Sequence, residues 1–129
     1  RVNEGQALLT LGIRAGMDIS DGLLSDLGHM CRASGTAAHI MIDQVPVHPD
    51  ARLAYPRQCL ALALSGGEDY ELLFAGPESL VQAARKTLGV PVTVVGQMEA
   101  GELGGITLVD REGREVSPPG RGWDHFRRR

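Results

Sequence analysis

The stretch Asp18-Ile19-Ser20-Asp21-Gly22-Leu23-Leu24-Ser25-Asp26-Leu27-Gly28-His29 joins an acidic start to an apolar run. From Leu23 to about Ala33, the positions Leu23, Leu24, Leu27, Met30 and Cys31 recur at the spacing of one helix face. Ser20 or Asp21 stands where a cap would stand, and Ser34-Gly35 stands where the helix would close. Working outward, Ala37 to Ile42 reads as a short apolar strand. On the other side, Asn3 to about Leu11 reads as a helix stopped by Gly12.

Further along, Pro46, Pro49 and Pro56 mark a loop with a short helical turn, and Arg57 to Leu64 reads as a buried helix ended by Gly66-Gly67. Glu71 to Ala75 is continuously apolar after its first residue, the pattern of a strand inside a sheet. Pro77 to Leu88 is a helix with Leu80, Val81, Ala84 and Leu88 on its inner face and Gly89 at its end. Val92 to Gln97 and Ile106 to Asp110 are strands, the second running into a turn at Arg111-Glu112-Gly113. Helices interleaved with strands and hairpins predict an α+β domain with helices packed on a mixed sheet.

The bulk numbers fit one domain. At 129 residues the chain can bury roughly two-thirds of its unfolded surface. A hydrophobic fraction of 43% with 4% aromatics makes the core aliphatic. A net charge of -3 argues against a nucleic-acid module. Arg127-Arg128-Arg129 is the one basic cluster and reads as a solvated tail. Cys31 and Cys59 have neither a zinc spacing nor a disulfide framework and read as small core fillers in a reducing cytoplasm. No apolar run approaches the roughly 20 residues of a membrane span. The chain opens inside a helical pattern without an initiator Met, which predicts a fragment of a longer protein.

Two acidic strings carry the chemistry. Asp18, Ser20 and Asp21 cluster at the expected helix start, where N–H groups and side chains would face one volume. Mg²⁺ takes one or two carboxylates together with phosphates and water, so this trio suits a metal-bridged phosphate. Capping alone would also account for Ser20 and Asp21, but not for Asp18. In Gly66-Gly67-Glu68-Asp69-Tyr70-Glu71 the glycines allow a sharp turn or a close approach. Its three carboxylates repel one another unless they are solvated, paired or metal-bound. If that string is extended, Glu68 and Tyr70 face one way and Asp69 and Glu71 the other. A solvated turn before a strand remains the alternative. Trp123 suits either stacking on a planar ring or anchoring the C-terminal end.

Taken in order, the Asp18–His29 string, Ser65-Gly-Gly-Glu-Asp-Tyr-Glu-Leu-Leu-Phe74 and Gly122-Trp-Asp-His-Phe126 resemble the thiamine-monophosphate kinase family, in its C-terminal domain. That resemblance implies a three-layer α/β/α domain of the aminoimidazole ribonucleotide synthetase-like fold over residues 1–126. Residues 127–129 would form a tail, and the ATP-binding N-terminal domain would be absent. It also implies ATP-dependent phosphorylation of thiamine monophosphate to thiamine diphosphate. Charge neutralisation by several Mg²⁺ ions would replace any covalent catalytic residue. By resemblance, Asp18 and Asp21 are Mg²⁺ ligands and Ser20 is an ATP contact. Glu68 and Trp123 touch the substrate, and Asp69 supports them. The family further implies a homodimer when full-length, and no activity from this fragment alone. Rival readings are a hydrogenase-maturation dehydratase or selenophosphate synthetase of the same superfamily, or a non-catalytic ligand-binding module.

Overall fold

A computed structural model of the chain describes residues 1–118. Helix α2 (Leu23–Ser34) is the element the others are built around. Leu23, Leu27, Met30 and Cys31 are buried along one face, as their spacing requires. Gly35 ends the helix in the left-handed conformation, φ 70°, that glycine adopts without steric cost. Against α2 pack β1 (Ala15–Asp18), β2 (Ala37–Met41), α4 (Cys59–Ser65) and β5 (Ile106–Val109).

The strands divide between two sheets. In one, β1 pairs antiparallel with β3 (Leu72–Ala75), with Asp18 opposite Leu72 and Ala15 opposite Ala75. In the other, β2 lies between β4 (Gly96–Glu99), to which it is antiparallel, and β5, to which it is parallel. The central place of β2 explains why Ile40 is fully buried. Helix α1 (Val2–Thr10) packs on α5 (Glu78–Thr87) around a smaller apolar cluster of Leu8, Ile13 and Ala84. A 3₁₀ turn at Ile42–Gln44 and helix α3 (Pro49–Ala54) occupy the proline-marked connection. This is the expected α+β architecture with a mixed sheet.

Three elements depart from expectation. Strand β1 has no sequence signal of its own: Ala15-Gly16-Met17-Asp18 is short and contains glycine, and it becomes a strand by pairing with β3. Strand β3 is not interior to a sheet, since among the described strands it pairs only with β1. Its unbroken apolar run is explained differently. Leu73 and Ala75 face the main core around α2, while Leu72 and Phe74 face the cluster between α1 and α5. The strand at Val92–Gln97 begins later, at Gly96. The Val95 carbonyl still accepts the Met41 N–H at 2.9 Å, but the four residues Val92–Val95 run outside the ladder. Their β-branched character reports a surface-packing preference rather than a committed strand.

Candidate functional site

Strand β1 ends at Asp18, and the chain then has four residues, Ile19 to Gly22, in which to turn into α2. The expected cap is not formed by Ser20 or Asp21. Gly22 is the N-cap, at φ 111° and ψ 149°, with no side-chain cap bond. The reason lies one turn into the helix. Asp26, only 2% exposed, reaches back so that its Oδ2 accepts the Ser20 N–H at 2.9 Å and the Asp21 N–H at 3.0 Å. The first helical turn thus satisfies the loop from inside, and the Ser20 and Asp21 side chains are released from capping. The Ser20 and Asp21 N–H groups are correspondingly unavailable to a phosphate, contrary to the expectation of open amides there.

The second acidic string lies directly against this loop. The Ile19 N–H donates to the Glu71 carbonyl at 2.9 Å, the Tyr70 N–H to the Ile19 carbonyl at 2.8 Å, and the Glu68 N–H to the Ser20 carbonyl at 2.8 Å. These bonds carry the β1–β3 pairing past the ends of both strands. The approach is close enough to dictate composition. A Cβ at Gly67 would sit 2.6 Å from the Ser20 carbonyl oxygen, and one at Gly22 would sit 3.1 Å from that of Ser65. The expected extended alternation is absent, because Glu68 (φ 68°) and Tyr70 (φ 51°) are both left-handed. Each such residue costs about 1–3 kcal/mol, a type of strain that clusters at functional sites.

Asp18, Asp21, Glu68 and Asp69 are all exposed, and Ser20 is half-buried. The structure therefore joins the two acidic strings main chain to main chain on an open surface. Among the described residues no ion pair or hydrogen bond engages the side chains of Asp18, Asp21, Glu68 or Asp69. No cluster of three or more His, Cys, Asp or Glu residues able to hold a metal occurs there either. Glu71 is accounted for structurally: Arg1 grips it with Nε to Oε2 and Nη2 to Oε1, both at 2.8 Å. That hydrogen-bonded guanidinium holds the Glu71 carboxyl below its usual range and in turn raises Arg1.

A groove of about 770 Å³ lies elsewhere, between α2, β2, β3, α5 and the Val92–Met98 segment, and does not include Asp18, Asp21, Glu68 or Asp69. A hollow of about 410 Å³ beside Leu24, Ile106 and Val116 does not include them either. His29, His39 and His48 have separate partners in Arg32, Glu99 and the Asp50 N–H, in keeping with their unrelated spacing. Trp123 lies outside the described residues. The residue that sequence reading missed is Asp26. Its signal was positional: an acid set between Leu23, Leu27 and Met30 on the apolar face of an amphipathic helix.

Comparison with known proteins gives a consistent result. The family model for AIR synthase related protein, C-terminal domain, matches residues 1–109. The thiamine-monophosphate kinase of Salmonella typhimurium strain LT2 is 44% identical over 98% of this chain and 39% of its own length. That of Escherichia coli strain K12 is likewise 44% identical, over the same shares. A solved structure described as AaThiL complexed with AMPPCP and TMP superposes with a TM-score of 0.67 at 33% identity, covering 88% of this chain and 34% of that one. The chain thus spans about two-fifths of the length of the curated relatives it matches.

Proposed function

The chain belongs to the family of AIR synthase related proteins, in their C-terminal domain, and from that premise we propose that it is the C-terminal part of a thiamine-phosphate kinase. The reaction is transfer of the ATP γ-phosphoryl group to the phosphate of thiamine monophosphate, giving thiamine diphosphate. The observation that carries this reading is the main-chain junction of the Asp18–Asp21 loop with Glu68–Tyr70, in a chain 44% identical to enzymes of that name.

The donor set fits Mg²⁺. Asp18 and Asp21 offer hard carboxylate oxygens, exposed and unspent on other described groups, and Mg²⁺ needs only one or two of these beside phosphates and water. When bound, Mg²⁺ neutralises the phosphate charge that would otherwise be repelled by this acidic surface. The chain's own residues do the positioning. Asp18 and Asp21 hold the cation, with Ser20 between them to contact ATP. Glu68 meets thiamine monophosphate, Asp69 supports it, and Trp123 covers the substrate's planar part. Further metal ligands and most of the ATP pocket come from an N-terminal domain, in a cytoplasmic homodimer.

Calorimetric titration with thiamine monophosphate, ATP and Mg²⁺ tests the assignment. Wild-type chain is expected to give binding heat with thiamine monophosphate, and Glu68→Ala to weaken that binding about tenfold or more, as loss of a hydrogen bond to a charged group would. Binding of thiamine monophosphate unchanged in Glu68→Ala refutes the role of Glu68. No heat with any of the three ligands favours a non-catalytic module instead.

A further inference from the structure

Asp26 is the only buried charged side chain among the described residues, and none of their cations pairs with it. A buried carboxylate persists only where hydrogen bonds replace its water. Here two backbone N–H groups do so, at 2.9 and 3.0 Å, both reaching the same oxygen. They come from consecutive residues, Ser20 and Asp21, so they fix the orientation of the peptide between them. With those N–H groups turned in toward α2, the Ser20 carbonyl is presented to the Glu68 N–H at 2.8 Å. One buried carboxylate thereby sets both the loop and its junction with the second acidic string.

We propose that Asp26 is the positioning residue of the cation site: its carboxyl locks the Ser20–Asp21 peptide just ahead of α2, so that the loop meets its ligand with carboxylates and not with the Ser20 and Asp21 amides. This inference rests on the reading of Asp18 and Asp21 as cation ligands. Its consequence is a division of labour. Loop amides left free would offer a phosphate direct donors; with Asp26 in place the Ser20 and Asp21 amides are spent, and the loop presents the Asp18 and Asp21 carboxylates and the Ser20 hydroxyl. Asp26 touches neither metal nor substrate and acts through the geometry of its neighbours.

The test pairs amide hydrogen exchange at Ser20 and Asp21 with Mn²⁺ binding followed by electron paramagnetic resonance, in wild type, Asp26→Asn and Asp26→Ala. Both amides are expected to be protected in wild type and unprotected in Asp26→Ala. Mn²⁺ affinity should fall at least about tenfold in Asp26→Ala, the loss typical when a group that orients a metal ligand is removed. Asp26→Asn, which keeps an acceptor oxygen, should recover most of that affinity; a purely structural role would not predict this rescue at equal thermal stability. Unprotected Ser20 and Asp21 amides in wild type overturn the proposal, as does unchanged Mn²⁺ affinity in Asp26→Ala. If Asp26→Ala does not fold, Asp26→Asn decides: its weaker acceptor should speed exchange at these two amides while β2 amides stay unchanged, and equal rates overturn the proposal. Absence of Mn²⁺ binding by wild type refutes the cation role of Asp18 and Asp21 instead, and amide protection still decides the place of Asp26.

Discussion

At Gly67 the absence of one carbon holds two segments together. A methyl group there would sit 2.6 Å from the Ser20 carbonyl oxygen, a backbone atom that cannot swing aside. Gly67→Ala is therefore expected to cost about 1–3 kcal/mol, the usual range for forcing extra volume into a packed place, read as a lower urea midpoint. The Glu71–Arg1 pair offers a second test, through pH. The Glu71 carboxyl is held below its ordinary value by hydrogen bonding to Arg1. A depressed carboxyl stabilises the fold above its unfolded pKa and loses that contribution as pH falls through the lower, folded value. Thermal melts between pH 6 and pH 2 should accordingly show a smaller acid-induced drop in Glu71→Gln than in wild type. The difference should be small, because the pair is solvent-exposed.

Among the elements, β3 is the most instructive. Its two faces serve two apolar clusters, Leu73 toward the main core and Leu72 toward the cluster between α1 and α5. Leu73, the more deeply buried, should cost about 2–5 kcal/mol on truncation to alanine. Leu72→Ala should cost less, and chemical denaturation of the two variants measures the contrast. The same strand marks how far the sequence could be read. Helices α2 and α5 were legible because an amphipathic face of ten or more residues repeats its signal several times. A four-residue strand such as β1 repeats nothing, and its existence is decided by a partner far along the chain. Continuous apolar character marked β3 as a strand but placed it inside a sheet, whereas among the described strands it has one neighbour and its apolar faces serve two clusters. The two acidic strings were legible as strings, and so was the need for glycine at Gly66-Gly67. The left-handed backbone at Glu68 and Tyr70 and the inward grip of Asp26 were not, since both follow from tertiary contact and not from local preference.

At the scale of the molecule, the acidic loops lie on an open surface, and neither hollow among the described residues includes Asp18, Asp21, Glu68 or Asp69. The chain spans about two-fifths of the thiamine-monophosphate kinases it matches. Alone, it is expected to form no thiamine diphosphate at a rate comparable to a full-length enzyme; an assay of product over time checks this, and comparable turnover refutes it. The hydrogen bonds from Glu68 and Tyr70 to Ser20 and Ile19 bear on when the acidic surface comes into being. They tie together portions of the polypeptide separated by an entire α-β-α-α passage, so closing that span must precede any meeting of the two acidic strings. A chain still emerging or partly denatured keeps the Asp18–Asp21 loop and the Glu68–Glu71 string apart. The joined acidic surface is thus a late product of folding, complete only once both ends of the span have met.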